Sequence, residues 1–437
     1  MIYCDGNLNK IEKMNFKLDN TSNGIRVLNV FMPSLESSTL TFWIKSGSRM
    51  ESDKKAGLAH FLEHMAFKGS KNYPSAKHVS EFLDGMGSEY NAGTSYEWIE
   101  FYAKVRNESL EKAFRIISDI AMNPVLNPDE MEKERGVILE EISMHEDNPM
   151  EKIGHNFGNL IFSGSSLGRD ISGTKGTVSK LQVSDLQRYI KSHYVVKNSL
   201  ITVSGGADSK KVIELSEKYF GELKNPSTTL KASEFRKTQS KPRLKLEFKK
   251  TEQAHLILGF LADGRTYKKR FAQAILATIL GRGMSSRLFS EVRVKRGLGY
   301  AVHTGISRFS DTGVFETYAG VMLEKVEEAI QVILDEHKNL TNAKAPIKKE
   351  EIAKAKEYMK GRTALALEDT NNVNDFFGQQ ALFMPSIETP EEVFAKIDKV
   401  TIEEIYEEAK KLFVPAKLNL AVIGPYKNKK RFEKLLK

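Results

Sequence analysis

The chain has 437 residues, 40% of them hydrophobic, and sets 66 Lys and Arg against 57 Asp and Glu for a net charge of +9. That is enough for two or three cores, and no run of about eighteen apolar residues exists to cross a membrane. Cys4 is the sole cysteine, which excludes a disulfide framework and a thiolate metal site. The basic residues are interleaved with acidic ones and lack alternating aromatics, which argues against a nucleic-acid partner.

Residues 1–10 have neither the apolar stretch of a secretory signal nor the Arg-rich, acid-poor character of a transit peptide, so the expected compartment is the cytoplasm. Strands are predicted at 25–31, 40–45 and 98–105, mixed with helices at 57–67, 108–121, 128–146 and 183–193. The mixture predicts an α+β class, with an antiparallel or mixed sheet carrying helices on one face.

The helix at 57–67 holds His60, Glu63 and His64 as His-x-x-Glu-His. Positions 60 and 64 lie one turn apart on one face, so two imidazoles can meet one metal ion, and Glu63 can reach its open side. Neutral imidazoles suit Zn²⁺, and a carboxylate that is not a ligand can take a proton from water there. The order reverses His-Glu-x-x-His, the inverzincin arrangement. A catalytic zinc usually takes three protein ligands. In the helix at 128–146, Glu134 and Glu141 are two turns apart on one face, with Val137, Ile138 and Ile142 expected towards the core. Glu140 rivals Glu141 as the third ligand, and His145, one turn on, is a weaker rival. The remaining histidines form no second cluster.

The two halves repeat each other. Residues 179–205 align without a gap on 398–424, an offset of 219 that matches Leu181, Val183, Leu186 and Val203 with Val400, Ile402, Ile405 and Val422. Glu146-Asp147-Asn148 corresponds to Glu368-Asp369-Thr370 at an offset of 222, which places Thr363 opposite Glu141. The reading is a half at 1–223, a polar Lys/Ser/Thr-rich linker at 224–243 and a homologous half at 244–437. The halves differ chemically, because 271–281, the counterpart of the metal helix, contains no His, Asp or Glu. After it comes Gly281-Arg282-Gly283, whose glycines read as a tight turn rather than a phosphate loop.

The His-x-x-Glu-His motif, its distance to Glu141 and the phrase Glu134-Arg-Gly-Val-Ile-Leu-Glu-Glu141 resemble the pitrilysin family, in the branch of the mitochondrial processing peptidase and its bacterial relatives. The resemblance runs from about 23 to 424. It implies a clam-like zinc endopeptidase for extended peptides or unfolded segments, with one zinc per chain on His60, His64 and Glu141, Glu63 as general base and Glu134 orienting a ligand histidine. It also implies that Arg293 and Tyr300, in Arg293-Val-Lys-Arg-Gly-Leu-Gly-Tyr300, reach across the cleft to the scissile region. Asn91 and Ala92 match the substrate-binding edge strand, with Gly93 where relatives often carry a bulky residue. Relatives of this length pair into a four-domain chamber. A homodimer is the expectation, and a heterodimer with a motif-less homologue is the variant. The rival reading is a non-catalytic or structural subunit, but such relatives lose the metal motif that this chain keeps.

Overall fold

The computed structural model describes residues 14–225, 232–236, 238–342 and 346–436. Part of the expected linker, 226–231 and 237, lies outside them.

The first sheet has six strands: β1 Phe16–Asn20, β2 Arg26–Phe31, β3 Ser37–Ile44, β4 Glu89–Thr94, β5 Ile99–Arg106 and β6 Ser199–Gly205, in the order β1-β2-β6-β3-β5-β4. All neighbours are antiparallel except β2 and β6. The second has β7 Arg243–Phe248, β8 Ala254–Ala262, β9 Gly299–Arg308, β10 Gly313–Val321 and β11 Asn419–Gly424, in the order β7-β11-β8-β10-β9. Here too one pair, β7 with β11, is parallel. The plan is the same apart from the extra edge strand β1, as the offset of 219 from Gly205 to Gly424 requires.

In chain order the helices of the first half are α1 Leu58–Ala66, α2 Ala76–Asp84, α3 Leu110–Met122, α4 Pro128–Asp147, α5 Pro149–Ile161, α6 Lys175–Val178, α7 Val183–His193 and α8 Ser209–Phe220. Those of the second are α9 Arg270–Gly281, α10 Val326–Asn342, α11 Lys349–Ala366, α12 Thr370–Phe383, α13 Pro390–Lys399, α14 Ile402–Leu412 and α15 Lys430–Glu433. Matching order pairs α1 with α9, α4 with α11 and α5 with α12.

Each half keeps most of its helices on one face of its sheet, around a core of alternating apolar side chains. The other face is closed by a helix from the opposite half. Ile153, Phe157 and Ile161 of α5 pack on Ile257, Ala421 and Ile423 of the second sheet. Reciprocally, Val373, Phe377 and Ala381 of α12 pack on Leu28, Trp43 and Leu200 of the first. Helices on one face thus describes a half alone, and burying the second face takes both halves.

Ionic contacts reinforce the exchange. The buried Arg49 guanidinium donates to Glu97 at 2.8 Å and to both carboxylate oxygens of Asp311 in the second half, at 2.8 and 2.6 Å. Asp311 also accepts from the backbone N–H of Phe235, and Phe235 stacks edge-on against Phe162. This described piece of the expected linker is therefore packed against both halves. No described helix is long and apolar enough to cross a membrane.

Candidate metal centre

Two features fix the start of α1. Gly57 adopts φ +94°, and a Cβ there would strike the Ser172 carbonyl, so only glycine fits. The buried Glu51 accepts from the N–H groups of Gly57 and Ala59 at 2.9 and 2.6 Å, satisfying donors that a helix start leaves open. Helix α4 is capped by Asn127, with Pro128 in its first turn. The buried Arg135 of α4 stacks on Phe61 of α1 and donates to the carbonyls of Val178 and Leu181. It docks the two site helices.

The faces so docked bring His60, His64 and Glu141 together. Nε2 of His60 is 3.5 Å from Oε1 of Glu141, and Nε2 of His64 is 3.4 Å from its Oε2. Ligands of a tetrahedral zinc with bonds of about 2.0–2.1 Å lie about 3.3 Å apart, so the spacing fits one zinc ion. Among the described residues this is the one cluster of three or more His, Cys, Asp or Glu with metal-binding geometry. Glu140 is exposed on the far side of α4 and takes no part. Nε2 of His145 lies 3.9 Å from Glu141 and 3.6 Å from Glu151, outside the trio.

Glu134 is buried, and its Oε1 lies 2.8 Å from Nδ1 of His64. Accepting the Nδ1–H there leaves Nε2 free for a metal. Lys68 holds the other oxygen at 2.5 Å. Burial alone would raise the Glu134 pKa, but the hydrogen bonds from His64 and Lys68 outweigh it and lower it. Burial would likewise lower that of His64, yet bonding to Glu134 and Glu141 pushes it up to about 9. His60 moves the other way, lowered by burial and by repulsion from His64. The hydrogen bond to His64 leads in lowering the Glu141 pKa.

Glu63 stands beside the trio, and its Oε2 accepts from the Thr94 hydroxyl at 2.6 Å. Thr94 ends β4, whose outer edge pairs with no described strand. Asn91 and Ala92 lie on that edge strand, with Asn91 exposed and Ala92 buried. Gly93 faces Glu100 across the pair, and a Cβ there would sit 3.3 Å from Oε1 of Glu100. Sequence reasoning missed Thr94, Lys68, Glu51 and Glu100. The register of the β4–β5 hairpin, which points alternate side chains to one face, was the available signal for Thr94.

One expectation needs correction. Val137 is 52% exposed. At about 100° per residue the buried arc of α4 centres near Ile138 and Ile142, and Val137 falls beyond its edge with the exposed Met144. Arg293 lies over the rings of Tyr300, at 4.1 Å, and Phe289, and Tyr300 is 71% exposed near the start of the edge strand β9.

The fold and site define a class: a duplicated α/β protein with a two-histidine, one-carboxylate cluster able to hold a metal in one copy. Residues 26–175 match the family model for insulinase, peptidase family M16, and residues 180–359 match the M16 inactive domain. The chain belongs to this family, the pitrilysin family of peptidases. It is 34% identical over 411 residues to a protein of Streptomyces coelicolor named as an uncharacterized zinc protease, covering 93% of this chain and 89% of that protein. Another so named, from Bacillus subtilis, is 34% identical over 411 residues, covering 93% and 97%. The fold resembles a Helicobacter pylori protease at a TM-score of 0.87 and 22% identity, covering 94% of this chain and 100% of that one. It also resembles a chain of complex III from Candida albicans at 0.82 and 21%, covering 96% and 99%. The inactive-domain description suits the second half, whose α9 carries no metal-binding side chain.

Proposed function

We propose that the chain is a zinc endopeptidase that hydrolyses extended peptides or unfolded segments, with His60, His64 and Glu141 holding one zinc and Glu63 as general base. The carrying observation is the convergence of those three ligand groups within 4.8 Å of one another, with the Glu63 carboxylate beside them. Zinc held there supplies Lewis acidity, enough to bring the pKa of water from 15.7 to about 7. The Thr94 hydroxyl occupies Oε2 of Glu63, leaving Oε1 to take a proton from water and pass it to the departing amine. The free edge of β4 at Asn91 and Ala92 accepts the substrate backbone as an added strand, which demands an extended chain and little sequence. The net charge of +9 gives no preference for basic presequences.

Arg293 and Tyr300 are proposed oxyanion donors. They reach the scissile region from across the cleft between the halves, and the assembly is a homodimer or a heterodimer with a motif-less homologue.

Metal analysis with a quenched-peptide digest tests the reading. One zinc per chain should leave with a chelator, together with activity. His60→Ala, His64→Ala or Glu141→Ala should empty the site, and Glu140→Gln should be mild. Glu63→Gln should keep the zinc and lose nearly all turnover. Equal zinc loss in Glu63→Gln and His64→Ala would overturn the assignment.

A further inference from the structure

Where the first half builds its metal centre between α1 and α4, the second half has a cavity of about 700 Å³ among the counterpart helices α9, α11 and α12. The caps of α5 and α12, Asn148 and Asp369, are 369 − 148 = 221 residues apart, so the structure sets Arg362 of this wall opposite Glu141, with Thr363 beside it. The hollow is lined with arginine.

Five guanidiniums border it, those of Arg265, Arg270, Arg282, Arg308 and Arg362, against two carboxylates, Asp375 and Glu388. Glu388 is committed, pairing with Arg270 at 3.0 Å and Lys396 at 2.7 Å. Arg265 has Glu97 at 3.5 Å. Arg308 donates to the carbonyls of Asp263 and Arg270 and to the Gln273 side chain, all neutral oxygens, and burial pushes its pKa down to about 10. The side chains of Arg282 and Arg362 have no hydrogen bond or ion pair among the described residues. Positive charge in the hollow therefore exceeds what its own carboxylates neutralise.

Arg282 is also placed there by the backbone. A Cβ on Gly281 would collide with the backbone N of Thr304, and Gly283, at φ +82°, lies against the ring of Tyr358 on the cavity wall. The Gly-Arg-Gly turn thus delivers a guanidinium to the cavity rather than cradling a phosphate.

Part of the remaining wall is apolar, with Phe271, Met359, Phe376 and Met384 beside the guanidiniums, and part is polar, with Asn372, Gln379 and Gln380. A bare inorganic anion leaves such a surface wet, whereas a peptide carrying a carboxylate next to an apolar side chain satisfies both. The guanidinium fork matches a carboxylate in two parallel hydrogen bonds.

We infer that this cavity binds an acidic, partly apolar segment of a peptide through Arg282, Arg308 and Arg362, anchoring it at a distance from the metal centre. That the occupant is a peptide rests on the peptidase reading.

The test uses the full chain as Glu63→Gln, so that binding is read without turnover. Anisotropy of a fluorescein-labelled ten-residue peptide containing Glu and Leu is compared with that of its Gln twin. The acidic peptide should bind more tightly. Arg282→Gln and, separately, Arg362→Gln should weaken it by about tenfold or more, as loss of a charge-assisted hydrogen bond implies, and leave the Gln peptide unchanged. Unchanged melting temperatures show that the fold is kept. Equal affinity for the two peptides, or no effect of either substitution, would overturn the proposal. So would displacement by millimolar inorganic phosphate with no dependence on the peptide's carboxylates, the mark of a small-anion pocket. Arg282-dependent binding in a chain whose wild type cleaves no peptide would leave the cavity standing and the peptidase reading fallen. Cleavage without such binding would do the reverse.

Discussion

Gly378 of α12 lies against the indole of Trp43 on β3 so closely that an added Cβ would sit 2.9–3.0 Å from three ring atoms. The duplication repeats this contact with the partners interchanged. Trp43 pairs with Leu200 and Gly259 with Asn419, the same place in the two sheets, and Phe157 holds on α5 the place that Gly378 holds on α12. A Cβ on Gly259 would lie 2.8 Å from Cζ of Phe157. One copy puts the large side chain on the strand and the other puts it on the helix.

Gly378→Ala should therefore destabilise the protein. Alanine favours a helix over glycine by about 1 kcal/mol, but overpacking a rigid core costs about 1–3 kcal/mol. Trp43 is fully buried and hydrogen-bonded to Thr202, so it has little room to move. Gly259→Ala should cost more, because its Cβ would also meet the Phe315 carbonyl at 2.5 Å. Urea midpoints measure both, and a stabilised Gly378→Ala would show that the indole gives way.

Zinc affinity should depend steeply on pH. The pKa of His64 without metal is about 9, so at neutral pH zinc must displace a proton from it. The apparent dissociation constant should fall about tenfold per unit from pH 7 towards pH 9. In Glu134→Gln the imidazolium loses its main partner. The slope should flatten, while affinity at high pH falls about 10–100-fold. Competition with a chelating dye reads this without any substrate, and a pH-independent constant for the wild type would contradict it.

The convergence of His60, His64 and Glu141 was legible because helical spacing fixes which side chains share a face, and the family motif favoured Glu141 over Glu140. Duplication was visible for the same kind of reason, since its helix-then-strand pattern survives at a constant offset. The exchange of α5 and α12 was not visible. Their apolar stripes say only that something is buried, and both sheets offer a second face. Val137 was misplaced because an apolar residue next to a buried arc looks like part of it until the arc is centred. Arg135 read as part of a motif, and only packing showed it bonded to the carbonyls of Val178 and Leu181.

Acid should unfold the protein partly through His337. Its ring is stacked on Phe413 at 4.2 Å, both nitrogens lack partners among the described residues, and burial lowers its pKa to about 3. The folded pKa lies below the unfolded value of about 6.5, so between these values the unfolded chain binds the proton and stability falls as the pH drops. His337→Phe removes that term. At pH 5 it should gain about 2 kcal/mol over the wild type beyond any difference at pH 8. Parallel gains at both pH values would assign the effect to packing instead.

The Arg293–Tyr300 pair makes assembly testable by mixing. If a second copy presents these groups to the metal centre, Glu63→Gln damages one component of each shared site and Arg293→Ala the other. Each variant alone should be nearly inactive, because losing a single oxyanion donor costs about 10²–10³ in kcat. Co-expressed, the two should assemble a dimer in which one of the two sites has both an intact base and an intact donor. Activity should then return to about a quarter of wild type for random pairing, since half the dimers are mixed and each mixed dimer has one good site. Light scattering should find a dimer in every sample. A fully active monomer, or mixed dimers no more active than their parents, would return Arg293 and Tyr300 to their own chain or to a structural role. Activity that appears only on adding a motif-less homologue would point to the heterodimer.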